Sequence, residues 1–279
     1  MARSEAQALV EDHGDHLLVT LSNPARRNAL APAMYADLRA ALDRGAADDR
    51  FGAVVLTGAG GYFCAGGDLN ALTERAALSR DERRARIEDL HATVRAIRTC
   101  PRPVIAAVEG GAAGAGFSIA LACDLLVAAE DAAFAAAYVR VGLVPDGGLT
   151  ASLAQRVPAS LAARLCLTGD PVAAPVLAGM GVVTDLCAPG QAAARAAQLA
   201  ARLAQGPAGA QAAIKRLLAC AFDGDFDAQL ARERDAMADA LGSSDAAAGL
   251  TARLNRTVPD FGRGRSAQSI RVQEEKTSR

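Results

Sequence analysis

Apolar positions fall into short runs over the first two thirds of this chain and into a helical period over the last third. HLLVTLS at 16–22, GAVVLT at 52–57, PVIAAV at 103–108 and DLLVAA at 124–129 are aliphatic runs of strand length, as expected of strands covered on both faces. Between the first two, Met34, Leu38, Ala41 and Leu42 recur at helical spacing. Strands alternating with helices predict an α/β chain wound right-handedly. From about Gln191 the strand pattern stops, and AARAAQLAARLA, GAQAAIKRLLACAF and FDAQLARERDAMADAL read as helices. Ile214, Leu217, Leu218 and Ala221 form an apolar stripe on the second of them. The pattern divides the chain into a core over 1–190, a helical section over 191–262, and a polar, basic segment over 263–279 that reads as a mobile tail.

The strand at 103–108 runs into EGGAAGAGF, where Gly110, Gly111, Gly114 and Gly116 bare the backbone, and a helix is expected from about Ala115. A helix starting there aims free backbone N–H groups out of the turn. The strand at 52–57 similarly runs into GAGGYFCAGGDL, where Gly66 and Gly67 precede Asp68, a residue placed to accept hydrogen bonds from those that follow. Two such turns, each offering one N–H, suit an oxygen that gains negative charge during a reaction.

Composition removes several alternatives. The 279 residues are 51% hydrophobic with a formal net charge of −1, enough for a sizeable core and without the basic footprint of a nucleic-acid binder. No apolar segment is long enough to cross a membrane and MARSEAQALVEDHGD has no secretory core, so a cytoplasmic location is expected. Cys64, Cys100, Cys123, Cys166, Cys187 and Cys220 form no C-x-x-C pair and read as small hydrophobes in a reducing compartment. GAGGYF lacks the third glycine of a dinucleotide fingerprint, GGAAGAGF has the wrong spacing, and neither carries the Lys-Ser/Thr of a phosphate loop.

Taken together, NPARRNAL at 23–30, FCAGGDL at 63–69, PVIAAVEGGAAGAGF at 103–117, ACDLLVAAEDAAF at 122–134 and GLVPDGG at 142–148 resemble the enoyl-CoA hydratase/isomerase (crotonase) superfamily over roughly residues 5 to 262. The resemblance implies the crotonase spiral of ββα turns, with the C-terminal helical section packing a homotrimer or a dimer of trimers. It implies an acyl-CoA substrate, no metal or redox cofactor, and an oxyanion hole made by the N–H groups of Gly67 and Ala115. Ala25, Arg27, Ala29, Ala65, Asp68 and Leu69 match positions that meet pantetheine and adenine, and Arg26, Arg27 and Lys215 are candidate phosphate partners.

The hydratases of that superfamily place two glutamates where this chain has Ser118 and Tyr138. Neither supplies a carboxylate base; a Tyr hydroxyl ionises only near a pKa of about 10. Asp146 is the carboxylate in the right neighbourhood, where isomerase and dehalogenase branches carry a functional Asp. Leu143, Val144 and Pro145 are expected to strip its hydration and raise its pKa, although Pro-Asp-Gly-Gly also makes an ordinary turn. His91 lies on the edge of a helix whose inward stripe is Leu90, Val94 and Ile97, near the position of a functional histidine in the dehalogenase branch, while packing or solvation is its simpler role. The expected function is double-bond isomerisation of an unsaturated acyl-CoA with Asp146 as base, as in phenylacetate-pathway isomerases and alternative oxepin-CoA hydrolase-like members. The alternatives are enoyl-CoA hydration and non-catalytic acyl-CoA binding.

Overall fold

A computed structural model describes residues 6–262 of the chain; the tail expected over 263–279 lies outside the described residues. The chain opens with an antiparallel hairpin of β1 (Gln7–Asp12) and β2 (His16–Ser22). β1 was not legible in the sequence, since it buries one side chain, Ala8, and lies at the sheet edge. α1 (Pro32–Ala47) begins on a proline, whose fixed φ suits a first helical turn, and buries Met34, Tyr35, Leu38, Ala41 and Leu42. The buried β3 (Ala53–Gly58) follows. The charged stretch after it forms two helices, α2 (Leu69–Ala76), capped by the Asp68 carboxylate, and α3 (Arg80–Thr99), which starts in a Ser79/Glu82 capping box.

β4 (Val104–Val108) leads into a three-residue β5 (Gly111–Ala113), then α4 (Ala115–Ala122), β6 (Leu125–Ala129) and β7 (Ala133–Ala135). Part of the expected glycine turn is thus a strand. β4 and β6 pair in one sheet and β5 and β7 in another, so each pass of the chain lays one strand in each sheet before α4 carries it back. This is the ββα spiral. After a 3-10 turn at Ala137–Val141 come α5 (Leu149–Arg156), α6 (Ala159–Thr168), β8 (Val172–Ala173), α7 (Ala174–Ala178) and β9 (Asp185–Cys187). The larger sheet has the order β1-β2-β3-β4-β6-β9, parallel except at β1, and the smaller β5-β7-β8.

Alternation along the central strands sends Val54, Leu56, Val104, Ala106 and Leu126 into the main core with α1, α3 and α4. Ala53, Val55, Ile105, Ala107 and Val127 point the other way, against Ala192, Ala196 and Ala200 of α8 (Ala192–Ala204). Alanines four apart let that helix lie close on the sheet. The helical section expected over 191–262 for assembly therefore begins with a helix that completes the subunit's own core. α9 (Ala208–Ala219), α10 (Phe226–Leu241) and α11 (Ser244–Leu254) instead carry exposed Ile214, Leu218, Phe226, Met237, Leu241 and Leu254. No helix among the described residues is long and apolar enough to cross a membrane.

Candidate active site

The two glycine turns meet. Residues 64–67 are laced between the first motif and the second sheet, with the Leu30 N–H donating to Gly66 O (2.7 Å) and the Ala113 N–H to Cys64 O (2.9 Å). Gly66 has φ +92°, and a Cβ placed there would lie 2.7 Å from Ala113 O and 3.1 Å from Ala115 N. Only glycine allows that approach. Gly114, at φ 51°, precedes the first turn of α4, every residue of which is buried. Among the described residues the N–H groups of Gly67 and Ala115 take no hydrogen-bond partner. At the start of α4 such N–H groups carry the positive end of the helix dipole.

One turn into α4, the buried Ser118 side chain belongs to a cluster with Tyr138, from the 3-10 turn, and Asp146, from the loop before α5. The Tyr138 hydroxyl donates to Asp146 Oδ1 at 2.8 Å. Ser118 Oγ lies 3.0 Å from the Tyr138 hydroxyl and 2.9 Å from the Asp146 carbonyl oxygen. The Asp146 carboxylate does not cap α5, whose N-cap is Gly148. Burial holds the Asp146 carboxyl above the usual carboxylate range, opposed by the Tyr138 hydrogen bond and then by the charge of His91. Burial, reinforced by the Asp146 charge, raises Tyr138, which stays a proton donor. The expected source of this desolvation is corrected: Leu143 and Val144 are 43% and 79% exposed. Ser118 and Leu90 pack against Gly147 instead, where an added Cβ would stand 2.9 and 3.1 Å from their side chains.

His91 keeps to the edge of α3, half-exposed, with Nδ1 3.4 Å from Glu88 Oε2, while Leu90, Thr93 and Ile97 face inward. Two residues near the cluster went unread in the sequence. Tyr35 of α1 is buried and its pKa is raised, first by burial, with a contribution from the Asp146 charge. Arg75 of α2 is half-buried and its positive charge bears on both Tyr35 and Asp146. Its spacing from Leu72, which lies against Gly67, is the sequence clue, since residues three apart share a helix face.

The first motif is held by Asn28, fully buried at φ 55°, whose Nδ2 donates to Ala59 O (2.8 Å) and Tyr62 O (2.6 Å) and whose Oδ1 accepts from Asn23 N–H (2.9 Å). That clamp presents Ala25, Arg26 and Arg27 at the surface, with Arg27 over the Tyr62 ring at 5.5 Å. Arg26 pairs with Asp68, which also accepts from the Asn70 N–H at 2.9 Å. The Ala65 N–H donates to Arg27 O and Leu30 bridges Gly67, so the first motif runs beside residues 65–67; of the residues expected to meet the acyl-CoA, Ala29 is buried there. Lys215 is not part of it. Its buried Nζ donates to Ile97 O (2.9 Å), Arg102 O (3.2 Å) and Asp124 Oδ2 (2.7 Å), leaving no proton for a phosphate. The expectation of a phosphate contact is therefore corrected: this lysine ties α9 to the ends of α3, β4 and β6. Cys64, beside the Gly66 turn, is buried and its thiol is pushed up to about 12 by burial, which leaves it a packing residue. Among the described residues no group of three or more His, Cys, Asp or Glu is arranged to hold a metal ion.

Comparison with known proteins agrees with this fold. The profile of the enoyl-CoA hydratase/isomerase family matches residues 14–264. The 2,3-dehydroadipyl-CoA hydratase of Escherichia coli K12 is 36% identical over 247 residues, 88% of this chain and 94% of that protein. The 1,2-epoxyphenylacetyl-CoA isomerase of the same organism is 34% identical over 246 residues, with 88% and 94% covered. The crystal structure of an enoyl-CoA hydratase from Polaromonas sp. JS666 superposes with a TM-score of 0.89 at 41% identity, covering 91% of this chain and 99% of that one. With the ββα spiral, the converging turns and a profile match over most of its length, this chain belongs to the enoyl-CoA hydratase/isomerase family, the crotonase superfamily of acyl-CoA enzymes.

Proposed function

We propose that this acyl-CoA enzyme shifts the double bond of an unsaturated acyl thioester, with Asp146 as the base that removes and returns the proton. One observation carries the reading: where the two-glutamate hydration route needs carboxylates, the hydroxyls of Ser118 and Tyr138 stand, and both contact Asp146. The thioester carbonyl oxygen sits between the N–H groups of Gly67 and Ala115, with pantetheine along Ala25, Arg27, Ala29, Ala65, Asp68 and Leu69. As Asp146 takes a proton from the carbon skeleton, the C–H electron pair passes into the dienolate and its charge collects on that oxygen. Each N–H donor aimed there lowers the barrier by about 2.7 to 4 kcal/mol. Asp146, now neutral, returns the proton at a different carbon. Its raised pKa supports both halves, because the ideal shuttle ionises near the working pH. No metal or redox cofactor enters the scheme.

Hydration is the second reading, favoured by the hydratase names of the Escherichia coli and Polaromonas proteins. A non-catalytic acyl-CoA-binding protein is the third. Incubating a 3-enoyl-CoA and crotonyl-CoA with the enzyme in heavy water, with mass spectrometry as readout, separates all three. The isomerase reading expects deuterium exchange and a shifted double bond, slow hydration of crotonyl-CoA, and loss of exchange in Asp146→Asn at an unchanged melting temperature. Rapid hydration by the wild type would overturn it in favour of the second reading, and absence of any exchange in favour of the third. We further propose that the exposed apolar faces of α9–α11 meet copies of the same chain in a trimer or dimer of trimers. Those helices also border a groove of about 510 Å³ lined by Met237, Leu241, Leu250 and Phe261.

A further inference from the structure

Three oxygen-bearing side chains meet at the candidate base, and their proton count is restrictive. Tyr138 has one proton and donates it to Asp146 Oδ1 (2.8 Å). The contact between Ser118 Oγ and the Tyr138 hydroxyl (3.0 Å) then requires Ser118 to donate, and its single proton is shared with the Asp146 carbonyl oxygen at 2.9 Å and the Gly114 carbonyl oxygen at 3.4 Å. Ser118 is buried inside α4, and the Tyr138 ring stands 3.9 Å from the point where a Gly114 Cβ would be. The phenol is thereby fixed between the oxyanion turn and the carboxylate. Oδ1 is occupied by the phenol, and no side chain among the described residues donates a hydrogen bond to Oδ2.

We propose that Tyr138, supported by Ser118, is a positioning residue that locks Asp146 Oδ1 and leaves Oδ2 as the one oxygen that takes and returns the substrate proton. This rests on the reading of Asp146 as base. In the forward half a substrate C–H bond breaks, its electron pair stays in the dienolate and an O–H bond forms on Oδ2; the return half reverses this at another carbon. With Oδ1 held, the carboxyl group does not rotate, and the proton on Oδ2 stays over the substrate instead of reaching solvent. Fixing one oxygen in this way is the positional control on which efficient proton transfer depends.

The lock has a titration consequence. A hydrogen bond to the ionised form favours it, so Tyr138 restrains the rise in the Asp146 pKa that burial produces. The other groups bearing on Asp146 are His91 from α3, its own backbone N–H, Arg75 from α2 and Tyr35 from α1. Arg75 and His91 favour the charged form, while Tyr35 is buried with its own pKa raised. Removing the Tyr138 hydroxyl leaves them in place and withdraws one stabiliser of the carboxylate, so the acid limb of the kcat/KM profile moves to higher pH.

The test uses the full-length enzyme, Tyr138→Phe, and a 3-enoyl-CoA deuterated at the carbon that loses its proton. Phenylalanine keeps the ring against Gly114. The expected result is an acid limb raised by about one pH unit, with a smaller share of substrate deuterium retained in the product. His91→Gln, measured alongside, separates this limb from any titration of the imidazole. Should Tyr138→Phe fail to fold, Ser118→Ala removes the hydroxyl that supports Tyr138 and is expected to move both readouts the same way by less. An unmoved limb with unchanged deuterium retention overturns the inference. If Asp146→Asn is inactive when this happens, only the positioning role fails; if Asp146→Asn keeps full exchange, the reading of Asp146 as base fails and the inference with it.

Discussion

Gly66→Ala is the sharpest test of whether the two turns share one oxygen. The new methyl carbon would stand 2.7 Å from Ala113 O and 3.1 Å from Ala115 N, at a backbone φ of +92°. Neither neighbour is the loose end of a flexible side chain; both are backbone atoms of the β5–α4 turn. Relief therefore requires residues 66–67 to retreat from Ala113–Ala115 by several tenths of an ångström. The backbone strain is about 1–3 kcal/mol, within the 5–15 kcal/mol or so by which domains are ordinarily stable, so a folded variant is expected. Catalysis is affected more heavily, because hydrogen-bond donors misplaced by that much no longer converge on the oxyanion. Losing one donor corresponds to about 2.7–4 kcal/mol of barrier, or roughly 10²–10³ in kcat. The assay is deuterium exchange into a 3-enoyl-CoA, read with the melting temperature and with CoA binding by calorimetry. Exchange should fall by about that factor, and CoA affinity by less, because Ala25, Arg27 and Ala29 lie on the earlier motif while Ala65, Asp68 and Leu69 flank the altered position. Ala115→Pro deletes the second N–H directly and should reproduce the loss. A folded Gly66→Ala enzyme with wild-type exchange would refute the shared oxyanion site.

Two further outcomes follow from the C-terminal helices. Lys215→Met should destabilise the subunit by about 1–3 kcal/mol in urea denaturation, because it leaves the Asp124 carboxylate, 27% exposed, without its cation, while Lys215→Met/Asp124→Asn should recover much of the loss. Burial already raises Asp124, and a carboxyl whose folded pKa lies above its unfolded value loses stability as pH rises through that window. The Lys215→Met deficit should therefore be largest at neutral pH, shrink as pH falls through the raised folded value, and be relieved below the unfolded value near 4. Light scattering at micromolar protein should give the mass of a trimer or a hexamer, and a monomer would refute assembly through α9–α11.

How much of this was written in the sequence depends on whether the responsible interaction is local. The strands at His16–Ser22, Ala53–Gly58, Val104–Val108 and Leu125–Ala129 were legible because buried parallel strands must be continuously apolar. The start of α4 at Ala115 and the cap at Asp68 were legible because backbone chemistry within a few residues sets them. The short β5, β7, β8 and β9 were not, since two or three residues have no periodicity of their own and become strands only by pairing with one another or with β6.

The same division holds at the site. Reading the sequence through its family resemblance named Gly67, Ala115, Ser118, Tyr138 and Asp146 as candidates, because the glycine turns and motif positions that carry the resemblance are linear information. It misassigned Lys215 and the residues that desolvate Asp146. A lysine on a helix reads as a surface charge until folding brings Asp124, Ile97 O and Arg102 O to it from 91, 118 and 113 residues away. Likewise Leu143 and Val144 adjoin Asp146 in sequence yet point to solvent, whereas Leu90 and Ser118, distant in sequence, close over the loop. The chain's own pattern determined which backbone groups and side chains were available. Only the tertiary structure decided which of them share a dielectric environment and a hydrogen bond, because desolvation and proton sharing act through space and fall off within a few ångströms.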